Sequence, residues 1–209
     1  HNVVRALKNS VATTLLQTFA ALSVSSIAGY GFEIYHDKAK DTVMAILMLA
    51  MMVPFVAVLV PLFQMFTKAK LINSWTGFIL PSIATPFLIM YFRNSARSFP
   101  RDTLEAARID GLNEFQIFIR MFIPMMKPTY ASAATITFMG AWNAYLWPKV
   151  VMQTNEAITM PMLVANTMGG YVIDYGVVMA AVTICSLPTV IIFFCLQKSF
   201  TNAVAGAVK

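Results

Sequence analysis

At 209 residues, with 58% hydrophobic and 11% charged residues and a mean hydropathy of +0.69, the chain is too apolar for an ordinary soluble domain, and its composition suits a bilayer. The formal net charge of +6 does not point to nucleic acid, because Lys and Arg are scattered through short connections with no RNP, zinc-finger or basic-helix frame around them. The two cysteines, Cys185 and Cys195, share one apolar run, which excludes a disulfide framework or a metal-ligand cluster and leaves them a packing role.

A helix crossing the hydrocarbon core needs about 20 mostly apolar residues with every backbone group satisfied internally. Five stretches qualify: Val11–Phe32, Thr42–Phe66, Trp75–Phe92, Pro128–Trp147 and Val177–Leu196. The third carries Pro81 and Pro86 and is expected to be kinked. The expected fold is an all-α, polytopic helical bundle forming a single transmembrane domain over 1–209. The chain opens on His1 without a signal-peptide pattern, so its first apolar run is taken as structure.

Orientation follows from the excess of Lys and Arg in inside loops. Lys38, Lys40, Arg93, Arg97, Arg101, Arg108, Arg120, Lys127, Lys198 and Lys209 fall on one side, and only Arg5, Lys8, Lys68, Lys70 and Lys149 on the other. The richer side is expected to be cytoplasmic, which puts the loop at about 93–127 and the C-terminus inside, and the loop at about 149–175 outside.

Two spans carry stripes of small or polar residues. Ser10, Thr14, Gln17, Ala21, Ser25 and Ala28 recur at steps of three and four and share one face of the first span, which implies a bundle interior. Ala133, Thr137, Gly140 and Ala144 form a second stripe, of the kind that lets backbones approach closely. Packing accounts for both, and Gln17 and Thr137 are kept as candidates for lining a solute pathway. His36, Asp37 and Lys38 read as solvated loop residues, Asn94, Asn166 and Asp174 as residues at membrane edges or in loops, and Gly169-Gly170 as a turn. No pair of carboxylates and no Ser/His/Asp set can be placed together within a span, so neither intramembrane catalysis nor proton coupling has candidate residues.

The long inside loop is not a plain connector. Asp102 or Thr103 can cap a helix, Leu104, Ala107 and Ile109 supply apolar positions, and Gly111 is a natural stop. Beyond it Phe115, Phe118, Ile119 and Phe122 recur at helical spacing. The spacing predicts a short helix, a glycine turn and a second helix leading back to the membrane.

This loop resembles the signature of the permeases of type I ATP-binding-cassette importers: Glu-Ala-Ala, three residues, Gly, nine residues, then Ile-x-Leu-Pro. Glu105, Ala106 and Ala107 match, Gly111 falls at the right distance, and Met121, Phe122, Ile123 and Pro124 close the pattern, with Met121 and Ile123 replacing the usual Ile and Leu. The resemblance implies that the helix around Glu105–Gly111 is a coupling helix docked in a separate ATPase subunit. Small Ala106 and Ala107 would allow close approach, Glu105, Arg108 and Asp110 would offer charge, and Gly111 and Pro124 would shape the loop. It also implies a second permease in a pseudo-symmetric heterodimer, two ATPase subunits that bind ATP and magnesium, an extracytoplasmic solute-binding protein, residence in the bacterial inner membrane and a further N-terminal helix not seen here. No Gly-x-x-x-x-Gly-Lys-Ser/Thr phosphate loop occurs in the chain, so ATP belongs to the partner.

A narrower resemblance concerns cargo. Trp142-Asn-Ala-Tyr-Leu-Trp-Pro148, Gln197-Lys-Ser-Phe200 and Ala205-Gly-Ala-Val-Lys209 are similar to the carbohydrate-uptake branch of these permeases, such as the maltose and glycerol-phosphate systems. Aromatic rings stack on sugar faces and Asn143 carries both donors and acceptors, so Trp142, Asn143 and Tyr145 are candidate pathway residues. Trp and Tyr also anchor helices at membrane interfaces, which is the competing reading for Trp142, Tyr145 and Trp147. An amino acid, peptide or oxyanion as cargo, or a channel or membrane scaffold that needs no nucleotide, are the alternatives.

Overall fold

The computed structural model describes residues 2–169 and 174–206, and among these no strand occurs. The helices are α1 (Asn2–Ile34), α2 (Lys38–Ala50), α3 (Phe55–Lys68), α4 (Trp75–Ile79, continued by a tight turn over Leu80–Ser82), α5 (Pro86–Ala96), α6 (Arg101–Ile109) and α7 (Glu114–Ile117). A widened π turn over Phe118–Phe122 leads to α8 (Ile123–Met125), followed by α9 (Lys127–Trp142), α10 (Leu146–Val151), α11 (Met160–Met168) and α12 (Tyr175–Gly206). The all-helical class is as expected.

The spans are cut differently from the hydropathy pattern. Val3–Ile34 and Tyr175–Cys195 are continuous and apolar enough to cross a membrane by length and composition. The second stretch is instead broken between Ala50 and Phe55, with Pro54 at the N-cap of α3. Proline lacks the N–H that would continue the ladder and drives Val53 out of the helical region, so the run cannot stay one helix. The third stretch is broken in the same way before Pro86, where Thr85 is extended at ψ 129, and this is the expected kink. Each interrupted pair counts as a span only when taken together. In the fourth stretch α9 stops at Trp142 after 16 residues, and the chain restarts as α10 at Leu146, so Pro128–Trp147 is not one helix.

The chain divides into two compact units. One comprises 1–20, 53–83 and 135–197. Its core gathers Phe66, Phe78, Trp147, Val151, Met152 and Met162. The Trp147 ring meets Phe66 edge-on at 5.1 Å, and its indole N–H donates to the Gly77 carbonyl at 3.1 Å. The polar face of α1 is internal here, as the three-and-four spacing predicts: Ser10, Thr14 and Gln17 are buried. Ser10 accepts the Met160 N–H at 2.7 Å, and the Asn9 amide donates to the carbonyls of Glu156 and Ile158 at 2.8 and 3.1 Å. Ser10 of the stripe, together with its neighbour Asn9, therefore satisfies backbone groups of the 149–175 loop. The turn Gly169-Gly170 falls partly outside the described residues.

The second unit comprises 21–52, 84–134 and 198–209. Its main cluster joins Tyr30 and Ile34 of α1 with Ala96, Phe99, Leu104, Ala107, Ile117, Phe118, Phe122 and Met126. Ala21, Leu88, Phe92 and Ala133 form a neighbouring cluster. Gly29 makes the approach of α1 to α5 possible, since a Cβ there would lie 2.6 Å from the Cβ of Phe92 and 2.7 Å from the Arg93 nitrogen. Replacing Gly29 with Val should lower stability by about 1–3 kcal/mol through overpacking against backbone that cannot yield. The check is the thermal unfolding midpoint in detergent, with Ile27→Val, at a 56% exposed position, as the unaffected control. Equal midpoints would contradict the close approach.

Candidate functional site

The 93–127 loop is built to hold one short helix rigidly. Pro100, not Asp102 or Thr103, occupies the N-cap of α6 and offers no side-chain bond. Its fixed φ of −63° sets the entry angle, and the missing N–H costs nothing at that position. One face of α6 is anchored, with Leu104 and Ala107 each 2% exposed in the core cluster. The opposite face carries Glu105, Ala106 and Ile109 at steps of three and four, all exposed, with Ile109 at 87%. Ala107 thus seats the helix against its own chain, whereas the resemblance placed it with Ala106 at a docking surface.

The turn after α6 rests on Gly111, which is left-handed at φ +80° with open space around it. The Gly111 N–H bonds back to the Arg108 carbonyl at 3.1 Å and the Leu112 N–H to the Ala107 carbonyl at 3.0 Å. This is the paired helix-ending pattern that glycine supports at no steric cost. Leu112 folds back onto the same core cluster. Directly beyond, Asn113 and Gln116 exchange side-chain and backbone bonds at 2.9 and 3.0 Å, a capping box that starts α7.

An ion pair bridges the turn, Arg108 Nε to Glu114 Oε1 at 2.8 Å. Arg108 is therefore held by its own chain. Hydrogen bonding to Glu114 raises its pKa. Burial pushes the Glu114 carboxyl up, but the Tyr35 hydroxyl and the Arg108 guanidinium beside it outweigh that and hold it below its ordinary value. Asp110 is exposed at the C-cap of α6. Further on, Pro124 has no N–H to give and would clash in a regular helix. The preceding turn is widened, with the Ile123 N–H reaching the Phe118 carbonyl, five residues back. The widening puts Phe118 and Phe122 in the core while Phe115 and Ile119 stay exposed.

Sequence reading missed a cluster of charges beside α6. Glu33, in the last turn of α1, has a side chain only 12% exposed and meets three arginines. Its Oε2 lies 3.4 Å from Arg93 Nε and 3.4 Å from Arg97 Nε, and its Oε1 lies 3.8 Å from Arg101 Nη2. Arg93 continues to Asp41 at 2.5 Å, and Asp41 pairs with His36 at 2.9 Å. Asp37 caps α2 and Lys38 is its first residue, so this stretch is structured, not merely solvated loop. The four-residue spacing of Arg93, Arg97 and Arg101 was the available signal, read as topology alone.

The candidate pathway residues separate. Trp142 is 1% exposed, stacks on Phe138 with centroids 6.0 Å apart, and donates its indole N–H to the Cys185 carbonyl at 2.8 Å. Trp142 and Trp147 are both buried, whereas the resemblance, for Trp142, and the interface reading, for both, placed them at a surface. Asn143 and Tyr145 are exposed and line an open cleft of about 340 Å³ with Pro161, Val164, Cys185 and Ser186. One Asn143 donor is spent on the Met139 carbonyl at 2.9 Å. Gln17 is buried and Thr137 half-buried, and neither lines that cleft. Of the stripe on α9 only Ala133 is buried, while Gly140 faces open space. Cys195 is exposed, not packed. Among the described residues no group of three or more His, Cys, Asp or Glu side chains is placed to hold a metal ion.

Residues 21–206 match the family of binding-protein-dependent transport system inner membrane components. The chain is 42% identical over 201 residues to the lactose transport system permease protein LacG of Rhizobium radiobacter, covering 96% of this chain and 74% of that protein. It is 35% identical over 202 residues to the arabinooligosaccharides transport system permease protein AraQ of Bacillus subtilis (strain 168), covering 96% and 72%. In fold it is similar to a chain of a bacterial ABC transporter involved in the import of the acidic polysaccharide alginate, with a TM-score of 0.84 at 21% identity, covering 95% of this chain and 75% of that one. A chain of the inward-facing MetNI methionine ABC transporter gives a TM-score of 0.71 at 21% identity, covering 97% and 95%. A family match over nearly the whole helical region and relatives at this identity settle the affiliation: the chain belongs to the binding-protein-dependent transport system inner membrane components, as a permease subunit of an ATP-binding-cassette importer.

Proposed function

We propose that this permease carries a sugar or oligosaccharide into the cytoplasm and is driven through α6 by a separate ATPase subunit, which binds the ATP and magnesium. The observation that carries the coupling role is the outward face of α6. Ile109 is 87% exposed between Arg108 and Asp110, and Phe115, next to Glu114, is 71% exposed. The flanking charges keep these side chains out of hydrocarbon, where an ion costs at least a few kcal/mol. In water each leaves unrealised about 1.5–3 kcal/mol of burial energy. A protein partner that covers Glu105, Ala106 and Ile109 resolves the conflict. Arg108, Asp110, Gly111 and Pro124 then shape the handle, and Ala107 fixes it to the bundle.

The excess of Lys and Arg on the side of this loop supports a cytoplasmic position for it and for the C-terminus. The family's binding-protein dependence supports an extracytoplasmic solute-binding protein as partner, and the usual pairing of such subunits supports a second permease and a second ATPase. Sugar cargo rests on relatives named for lactose and for arabinooligosaccharides. The cleft is compatible with it: Asn143, Ser186 and Tyr145 offer polar groups among its otherwise mostly apolar lining.

In the assembled importer, Ile109→Asp should reduce retention of the ATPase subunit by about tenfold or more, as loss of a central apolar anchor does. Copurification from membranes measures it, and wild-type retention would contradict the docking face. Tyr145→Ala should raise KM for uptake of the cognate sugar several-fold and leave ATPase retention unchanged. An unaltered KM removes the cleft from the pathway.

Acid should loosen the handle. The Glu114 carboxyl is held below its ordinary 4.5, so its stabilising contribution is complete above that value and is lost as pH falls through the folded pKa. Hydrogen-exchange protection at Gly111 and Leu112 should therefore be level from about pH 8 to about pH 6 and fall only at more acid pH. Glu114→Gln should lower that protection already at neutral pH. Equal protection in the variant would show that the ion pair does not hold the turn.

A further inference from the structure

Glu33 is neither part of the docking face nor of the cleft, yet it is the most heavily engaged carboxylate among the described residues. Its neighbours Arg93, Arg97 and Arg101 come at four-residue steps: the first lies within α5, the second at its C-cap, and the third is the first residue of α6. Arg101 also donates to the Glu33 backbone carbonyl at 3.4 Å, so it holds the end of α1 by side chain and main chain together.

From this geometry we infer that Glu33 is a positioning residue, the joint through which movement of α6 is handed to α1. The inference rests on the docking role assigned above to α6. The three contacts divide the labour. Arg93, with its side chain 7% exposed, is tied to Asp41 as well as to Glu33, and it fixes α5. Arg97 and Arg101 are 61% and 54% exposed, Arg97 sharing Oε2 with Arg93 and Arg101 lying nearest Oε1. Exposed guanidinium contacts are weak and exchange readily, whereas a buried one is costly to break. The joint is therefore firm towards α5 and yielding towards α6. Such a contact can lengthen and re-form as the handle moves while the carboxylate stays in place. Without the carboxylate, three guanidinium groups face one another with only Asp41 to offset them. The start of α6 then separates from α1, while Leu104 and Ala107 still seat the helix in its core.

The test compares Arg101→Gln, Glu33→Gln and Ile109→Asp in the complete importer reconstituted in liposomes with its solute-binding protein. Two quantities are read, the ATPase subunit retained and the solute imported per ATP hydrolysed. Arg101→Gln is expected to keep the ATPase subunit and to lower the import ratio about fivefold or more, the scale of a typical coupling energy between sites. Glu33→Gln should lower it at least as far, and the double variant no further than Glu33→Gln alone. Should Glu33→Gln fail to assemble, Arg101→Gln decides by itself, because its side chain is exposed. A wild-type import ratio in Arg101→Gln, or loss of the ATPase subunit from it, overturns the joint and leaves the docking face standing. Full retention of the ATPase subunit by Ile109→Asp overturns the docking reading, and the joint with it.

Discussion

A single backbone conformation, the left-handed turn at Gly111, is what the coupling loop depends on. A side chain at φ +80° would be strained whatever the surrounding space, so glycine is needed although nothing crowds it. The turn closes two carbonyls of α6, returns Leu112 to the core cluster and brings Glu114 within reach of Arg108. Each of these contacts is modest, an ion pair this exposed being worth about 0–1 kcal/mol. Together they leave α6 one orientation, with Leu104 and Ala107 inward and Glu105, Ala106 and Ile109 outward. A handle must be rigid in itself if force applied to it is to reach the bundle and not be lost in bending.

The arginine series differs in that its contacts divide by burial. Arg93 is nearly buried and is satisfied by two carboxylates, so either one still compensates its charge if the other contact lengthens. Arg97 and Arg101 stand in solvent, where each contact to the carboxylate can lengthen and re-form. Stability and motion are thus assigned to different members of one charge cluster. In the other unit, Asn9 and Ser10 bond the backbone at Glu156, Ile158 and Met160, so the polar face of α1 fixes the stretch that leads into α11.

Length and hydropathy made the two long helices legible, since Val3–Ile34 and Tyr175–Cys195 stay apolar over enough residues to cross a membrane. The coupling loop was legible because glycine and proline report backbone constraints directly, and both Gly111 and Pro124 have local geometry that explains them. What was lost lay in direction. Ala106 and Ala107 are chemically alike, and only packing against Leu104 and Ile117 shows that one faces inward. Trp142 and Trp147 carry the same amphipathic signal as interface anchors, but their N–H groups meet carbonyls of Cys185 and Gly77, which are distant in sequence. Pro54 was counted inside an apolar run, although its missing donor and its effect on Val53 end the helix there. Glu33 gave no local signal, because its partners come from 60 or more residues away.

For α6 to act as a handle it must present one defined face to a nucleotide-hydrolysing partner. The most direct test is site-specific cross-linking in intact membranes, with Cys185 and Cys195 replaced by Ser and a single cysteine placed at 106 or at 107. An adduct is expected between Ala106→Cys and the ATPase subunit, and none from Ala107→Cys, whose side chain is buried in the core. An Ala106→Cys thiol that yields no such adduct and reacts only with lipid-soluble reagents would contradict it.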